Sequence, residues 1–513
     1  MPPFPVNPEK DTICDVIRRW AEIQPDAPAM LERGRGTVAY RGLVEAMDSI
    51  AEVFQAAGIP PHQRIAVLHP CAVTMAALTF GVMNGATVVP MDIDLPPAGL
   101  EQDMHRRAVT GFIADESSQH KIEHLEKFVS ATFPLSLNID DASEKFLVKL
   151  NEQDFPPQSV PENHAFILTS SGTTGTPKII PRRHAEMLHS AKAGAEHLQL
   201  GPQDRTLSVR PLYYAGALFA TLAVLYSGGS IVYIRDFKPG NFSEHFQLFK
   251  PTWYAAGPTF QRHLLSEIRQ AGNFEVNDGF RFVSVPTGSL EEDEADEIES
   301  IFKAPIINSY NASETSRITM DPMPPGRRKR GTVGLPVACE VRIRSLDGEF
   351  VAGGERGEIL IRGPQVFEGY ENDTEANAEA FVDGWFRTGD EGFLDEDGYL
   401  TITGRIKEMI NRGGEKISPA EVDKVLLSHS NVKEAATFAV PHRTLVELPV
   451  AVVVLDPAGA VTESDLKRFL AERLATFKIP QRFYFRDEIP KDSKGKIQRY
   501  RLAQLIDWSP LGD

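Results

Sequence analysis

The chain has 513 residues, 42% hydrophobic and 24% charged, and 54 Lys plus Arg against 71 Asp plus Glu give a formal net charge of −17. Such a length exceeds what one core supports, so two or more domains are expected, and the acidic balance argues against a general nucleic-acid or anionic-membrane binder, which needs a basic surface. Cys14, Cys71 and Cys339 show no C-x-x-C or metal-ligand spacing, the first residues carry no basic segment followed by an apolar one, the C-terminal Leu511-Gly512-Asp513 is no peroxisomal address, and no run of about 18 apolar residues occurs, so a cytoplasmic protein without membrane insertion is expected.

From Arg64 to Val89, the strand-like runs Ile65-Ala66-Val67-Leu68 and Thr87-Val88-Val89 flank a helical stretch through Met75-Ala76-Ala77-Leu78. That alternation predicts parallel α/β layering. Ala165-Phe166-Ile167-Leu168 reads as another buried strand, and it feeds the run Thr169-Ser170-Ser171-Gly172-Thr173-Thr174-Gly175-Thr176-Pro177-Lys178. Two glycines bracket paired hydroxyls with a lysine behind them. The backbone can therefore approach phosphate oxygens while Thr173, Thr174 and Lys178 supply donors. Gly172 and Gly175 are too close, and Pro177 precedes the lysine, so the run is not a Walker A loop. Composition alone suits a flexible Ser/Thr/Gly surface loop.

Further apolar runs at Thr206–Val209, Ser230–Ile234, Phe280–Val285 and Pro305–Asn308 continue the α/β pattern. Trp253 and Tyr254, within Thr252–Thr259, have the ordinary reading of core aromatics. The acidic run Glu291–Glu299 reads as the solvated first turns of a helix, where negative charge suits the N-terminal dipole. Tyr310-Asn311-Ala312-Ser313-Glu314-Thr315 sets an aromatic ring and a carboxylate four apart at a strand end, by itself a commonplace arrangement. The basic cluster Arg327-Arg328-Lys329-Arg330 reads as a solvated loop in preference to a nuclear signal or phosphate patch.

After Gly353 the texture changes to short strands and turns, with Glu358–Gly363 and Gly398–Ile402 marking a β-rich subdomain. Trp385-Phe386-Arg387-Thr388-Gly389-Asp390 places a carboxylate after a glycine turn. It suits a ribose diol or a plain Asp-capped turn equally. Gly413 and Gly414, in Asn411–Ile417, allow a ligand to approach the backbone or simply form a turn. The last hundred residues read as α+β, with strands at Ala435–Val440 and Ala451–Val454 and a helix from Ser464, its cap, to Leu474. A boundary near Arg405–Lys407 fits. The basic stretch Pro490–Arg499 is, on its own, a solvated tail.

Taken in order, five of these segments resemble signatures of the adenylate-forming superfamily, which includes acyl-CoA synthetases, firefly luciferases and nonribosomal peptide synthetase adenylation domains. They are the Thr169–Lys178 loop, Tyr-Gly-x-Thr-Glu at 310–314, Trp-x-x-Thr-Gly-Asp at 385–390, Gly-Arg-x-Lys at 404–407 and Pro-Lys-Thr-x-x-Gly-Lys-Ile-x-Arg at 490–499. Asn311, Ser313 and Asp492 replace the usual glycine, threonine and threonine, and Ile179 stands where glycine commonly follows the lysine. The resemblance spans nearly the whole chain. It implies an α/β enzyme with a large N-terminal domain (1–405) of layered α/β subdomains plus a β-rich subdomain, and a small mobile α+β C-terminal domain (406–513).

The same resemblance implies a two-step reaction with ATP, Mg²⁺ and coenzyme A. A carboxylic acid displaces pyrophosphate to form an acyl adenylate, and a thiol then displaces AMP. Ser170, Ser171, Gly172, Thr173, Thr174, Gly175 and Lys178 would hold the phosphates, with Thr173 and Glu314 on the metal. Gly288, Ser289, Ser309, Tyr310, Asn311, Ser313, Asp390 and Arg405 would complete the nucleotide site. Lys496 would bridge carboxylate and α-phosphate, Lys407 would be the hinge, and Gly414 and Lys416 would face the pantetheine arm.

The implied acyl pocket takes in Tyr214, Gly216, Trp253, Gly257, Gly288 and Arg317. Tyr214 stands where acyl- and aryl-CoA ligases usually place histidine. No aspartate occurs in Pro211–Gly216 to bind an α-ammonium group, so an α-amino acid is not expected. Thr252–Thr259 resembles a stretch of oxalyl-CoA synthetase-like enzymes and of some synthetase-like loading domains. Arg317, three residues after Glu314, reads as a surface salt-bridge residue or as a partner for a second carboxylate of the substrate. The leading expectation is an acid–CoA ligase acting on a small carboxylic acid. The alternatives are loading of a separate carrier protein's phosphopantetheine arm and, more distantly, a luciferase-like oxygenase.

Overall fold

The structure is a computed structural model that describes residues 2–60, 63–115, 122–128, 131–139, 142–150, 164–170, 177–234, 239–272, 274–286, 290, 292–345, 347–456, 461–491 and 497–505. The chain divides into two compact units, one of Met1–Ser170, Lys178–Glu340 and Ile361–Ala380, the other of Ser171–Pro177, Val341–Leu360 and Phe381–Asp513.

The first unit is built on two sheets. In the nine-stranded sheet, Leu335–Pro336, Ser316–Met320, Ile306–Ala312, Phe282–Val285, Trp253–Ala255, Arg205–Ser208, Ser230–Tyr233, Pro28–Glu32 and Gly36–Ala39 lie side by side in that order. Its middle strands are parallel. The seven-stranded sheet has the order Ala131–Ile139, Ala142–Leu150, Gly111–Asp115, Arg64–Val67, Thr87–Pro90, His164–Thr169, Ile179–Arg183. Parallel strands are covered on both faces, which is why they read as unbroken apolar runs in the sequence. The strand expected at Pro305–Asn308 continues to Ala312 because it turns back through an antiparallel pairing with Ser316–Met320.

Two helices of this unit are apolar on every side, Ala72–Met83 and Ala215–Tyr226. Such a helix has no face to offer water. Ala72–Met83 accordingly touches strands of both sheets, as does His184–His197. Among the described residues, no helix is long and apolar enough to cross a membrane.

The acidic run forms the helix Glu292–Phe302, with Glu291 outside the described residues. It is not merely solvated. Glu294 pairs with Arg262 at 2.7 Å and Asp296 with Arg330 at 2.5 Å, while Glu299 takes both Arg328 and Arg330. The basic loop read as solvated is thus the partner of the acidic helix. Opposite charges far apart in sequence found each other, which local composition does not reveal.

Glu340–Arg344, Gly357–Arg362, Trp385–Leu394 and Phe381–Val382 form one sheet, with Leu400–Arg405 added to Trp385–Leu394. A second sheet joins Glu415–Ile417, Ile410–Arg412, Val446–Leu455 and Val432–His442, with Phe483–Phe485 added to Val446–Leu455. The helix expected from Ser464 runs Glu463–Ala471, and its cap is Thr462. The Thr462 hydroxyl accepts from the Asp465 amide, and the Asp465 carboxylate accepts from the Thr462 amide at 3.1 Å. This reciprocal pair satisfies two otherwise orphaned donors and outcompetes Ser464.

Candidate active site

In the first unit, the strand His164–Thr169 delivers the hydroxyl-rich loop and the strand Ile179–Arg183 takes the chain away. Ser170 closes the neck. Its amide donates to the Lys178 carbonyl at 3.0 Å, and its hydroxyl accepts from the Lys178 amide at 3.0 Å. Ser171, Gly172, Thr173, Thr174 and Gly175 lie outside the described residues, as do Gly288, Ser289 and Lys496.

Beyond the neck, the Lys178 ammonium sits 4.5 Å from the centre of the Tyr370 ring. The Tyr370 hydroxyl donates to Glu314 Oε1 at 3.0 Å. One aromatic side chain thus links the loop's lysine to the carboxylate expected on the metal. Its own segment is tied at both ends: the Phe367 amide donates to the Glu314 carbonyl at 2.8 Å, and the Glu371 amide donates to the Ile179 carbonyl at 3.1 Å. Glu371 is in turn held by the buried Arg64 at 2.7 Å. Sequence reading missed Tyr370. Its only local signal is a tyrosine after Gly369 in a short turn-rich stretch.

Arg182 was missed as well. It is fully buried, and its guanidinium reaches Glu186 Oε2 at 3.0 Å, the Ser313 carbonyl at 2.5 Å, the Gln365 carbonyl at 2.7 Å and the Ser316 hydroxyl at 3.2 Å. It therefore grips the turn that presents Glu314 from both sides. Burial pulls its basicity down and Glu186 opposes that. The signal was an Arg and a Glu four apart where a strand passes into a helix.

Ser309, Tyr310, Asn311 and Ser313 lie on the strand Ile306–Ala312 and the turn after it. Asn311 uses its side-chain amide to bridge outward, donating to the Pro286 carbonyl at 3.0 Å and the Ser309 hydroxyl at 3.1 Å. A glycine at this position could make neither bond. Next to this strand Asp321 is buried, and its Oδ2 accepts from the Asn308 amide at 3.0 Å and side chain at 2.9 Å. Burial pushes its carboxyl up to about 6, against those hydrogen bonds.

A carboxyl harder to ionise in the native state than in the unfolded chain contributes stability that is full below the unfolded value of 3.8 and is lost as pH rises through about 6. Asp321→Asn is therefore expected to gain on the parent as pH rises from 4 to 7, by up to about 3 kcal/mol, read as the difference in urea midpoints. A pH-independent difference would contradict it.

Of the residues expected to line the acyl pocket, Tyr214 caps the helix Ala215–Tyr226. Its ring lies 4.8 Å from that of Tyr213 and 5.5 Å beneath the Arg210 guanidinium. Gly216 faces open space, since a Cβ there would meet nothing within 4 Å. Trp253 is buried and stacked on Phe282 at 5.1 Å, a core placement in which its indole N–H has no hydrogen-bond partner among the described atoms. Gly257 caps the helix Pro258–Ala271. Arg317 is buried, so the surface salt bridge does not form.

In the second unit, Asp390 and Arg405 face each other across the ladder and pair at 2.9 Å. Thr388 and Gly389 lie with Asp390 inside the strand Trp385–Leu394 and not in the turn expected before the carboxylate; Thr388 donates to the Ile359 carbonyl at 2.8 Å and accepts from the Asp390 amide at 3.1 Å. Gly389, at φ +70°, takes a left-handed conformation within that strand, which a glycine adopts without strain. Lys407 lies on the short 3₁₀ turn Ile406–Glu408. Gly413 and Gly414, at φ +61° and +102°, are the tip of the hairpin 410–417, and Lys416 is exposed beside them. A two-glycine tip is the connection that matches strand twist.

The ends of the segment carrying Lys496 are fixed. Lys491 and Ile497 form an antiparallel bridge, and the Gln498 amide donates to the Pro490 carbonyl at 3.1 Å. Arg499 then locks into Asp423 at 2.5 Å, Glu408 at 3.1 Å and the Thr437 carbonyl at 3.1 Å.

A family model described as AMP-binding enzyme matches residues 17–371, and one described as AMP-binding enzyme C-terminal domain matches 421–496. An oxalate–CoA ligase of Arabidopsis thaliana is 32% identical, the alignment covering 97% of this chain and 99% of that protein. A sulfoacetate–CoA ligase of Cupriavidus necator is 30% identical over 96% of this chain and 97% of its own. Among solved structures, the o-succinylbenzoate CoA synthetase of Bacillus subtilis, in complex with ATP and a magnesium ion, superposes with a TM-score of 0.80 at 26% identity, covering 95% of this chain and 98% of that one. The same enzyme with its acyl-adenylate intermediate also gives 0.80.

Proposed function

The chain belongs to the AMP-binding enzyme family, and from that premise we propose the reaction and the part each residue takes in it. The protein is an ATP-dependent acid–CoA ligase. A carboxylate oxygen of the acid attacks the α-phosphorus of ATP, the bond to the β-phosphate breaks, and pyrophosphate leaves. The CoA sulfur then attacks the acyl carbon, and AMP leaves with the oxygen that had bridged them. Because AMP is a good leaving group, the thiol needs positioning more than a base.

The observation that carries the residue assignment is the Lys178–Tyr370–Glu314 connection at the loop neck. It supports Lys178, with Ser170 and the loop residues Ser171–Gly175, as the holder of phosphates. No cluster of three or more His, Cys, Asp or Glu side chains suited to a metal occurs among the described residues. A lone carboxylate such as Glu314 fits Mg²⁺, which keeps waters and phosphate oxygens and takes few protein ligands. Glu314 and Thr173 would hold it, and when bound it neutralises charge on the phosphates.

Asp390 is assigned to the ribose diol and Arg405 to its placement. Lys496 is assigned to the charge developing on the α-phosphorus. Lys407 is taken as the hinge of a C-terminal domain over 406–513, with Gly414 and Lys416 turned to the pantetheine arm in the thioester step. A cytoplasmic location is part of the reading and is supported by Cys14, Cys71 and Cys339 all being free thiols.

The test is carboxylic-acid-dependent pyrophosphate release over a panel of aryl, fatty, hydroxy and dicarboxylic acids, followed by thioester formation on CoA. Tyr370→Phe removes one hydrogen bond to a charged carboxylate and is expected to lower kcat/KM for ATP about tenfold or more. An unchanged value would remove Tyr370 from the site.

A further inference from the structure

Arg317 is 7% exposed, and among the described residues its guanidinium has no carboxylate partner. Its contacts are neutral. Nη2 donates to the Phe219 carbonyl at 3.1 Å, and Nη1 makes a long bond to the Ser190 carbonyl at 3.5 Å. A guanidinium has five N–H donors, so these two bonds leave most of its capacity unused. Burial alone draws it down to about 10, with no neighbouring charge to offset the cost, and it stays charged at neutral pH.

Burying a cation on carbonyls is expensive, and a well-packed apolar residue in its place costs less. The fold nevertheless makes room for it. A Cβ on Gly194, in the helix His184–His197, would lie 2.6 Å from the guanidinium carbon, so any side chain there would displace the charge. Two of the three elements that hold Arg317 also border the candidate pocket. On its own strand it is paired in register with Asn311, whose side chain reaches the Pro286 carbonyl at the C-terminal end of a parallel strand. Ligands of open α/β sheets bind at that edge. On the helix Ala215–Tyr226, the Phe219 carbonyl that accepts from Arg317 lies about 4.5 Å along the axis from Gly216. Gly216 is the position that faces open space.

We infer that Arg317 is the floor of the acyl pocket and the receptor for a second anionic group, so that the acid activated is a short dianionic one. The assignment rests on the acid–CoA ligase reading above. A monocarboxylic acid of equal length would leave the guanidinium desolvated and unpaired. A long acyl chain would meet it end-on. Sites built to pair with a substrate's polar group reject the analogue lacking it far more strongly than apolar pockets discriminate by size.

The experiment compares malonate with propionate and succinate with butyrate, by acid-dependent pyrophosphate release with the full-length enzyme. The parent is expected to prefer each dianion over its monocarboxylic partner by about 100-fold or more in kcat/KM. In Arg317→Met that ratio should fall to within about tenfold. Gly194→Ala keeps the cation but pushes it aside, and the same collapse of the ratio is expected there, which covers the case in which Arg317→Met does not fold. Arg317 would be overturned if the parent activates the monocarboxylic acids as well as the dianions, or if both variants lower all acids in proportion, as a purely structural residue would. Pyrophosphate release with no acid of any class would overturn the ligase reading itself, and this inference with it.

Discussion

Lys496→Ala is expected to slow acid-dependent pyrophosphate release by about 10²–10³ while leaving transfer from supplied acyl adenylate to CoA within a few-fold of the parent. The attack on the α-phosphorus gathers negative charge on its oxygens, and a lysine ammonium is a group suited to neutralise it. The attack of the thiol on the acyl carbon gathers no such charge at phosphorus. Although Lys496 itself lies outside the described residues, the chain is fixed immediately after it, through the Lys491–Ile497 bridge and the Arg499 lock on Asp423 and Glu408. An equal loss in both halves would indicate a damaged domain in place of a catalytic lysine.

The second large effect is expected at Arg182. Replacing it by methionine leaves Glu186, itself 1% exposed, as a buried carboxylate stripped of this partner. Breaking a buried pair from one side costs about 3–5 kcal/mol. It also frees the Ser313 and Gln365 carbonyls, so the turn under Glu314 loosens and ATP turnover should fall along with stability. The double variant Arg182→Met with Glu186→Gln should recover a large part of the stability and little of the activity, because the carbonyls remain ungripped. Urea denaturation and pyrophosphate release on the same preparations separate the two. If the single variant were as stable as the parent, Arg183, which also reaches Glu186 at 2.7 Å, would be the partner that matters.

How much of this was legible in the sequence depended on whether the physics was local. Parallel strands such as Arg64–Val67 and Phe282–Val285 are buried on both faces and announced themselves as apolar runs. Asp390 and Arg405 were each legible as candidates from short motifs fifteen residues apart, but that they pair across one hairpin came only with the ladder. Tyr370 was not, because its meaning depends on a return of the chain from Ile179 to Glu371, and no periodicity near residue 370 reports it. Arg182 stands beside Arg183 in the sequence, and only its depth gives it four acceptors. The cap at Ser464 failed for a smaller reason, since Thr462, Ser464 and Asp465 are all residues that cap helices and the reciprocal Thr462–Asp465 pair decides. Arg317 was legible as a candidate, and its burial against Gly194 came only with the packing.

The central claim is that the acid is activated on the α-phosphate of ATP before it meets CoA. Running the reaction to completion with an acid labelled with ¹⁸O in the activated carboxylate follows that one oxygen. Attack on the α-phosphorus and departure of AMP from the acyl carbon require one labelled oxygen to appear in AMP, with the other kept in the thioester. Label found in orthophosphate together with ADP, or AMP formed without label, would contradict it.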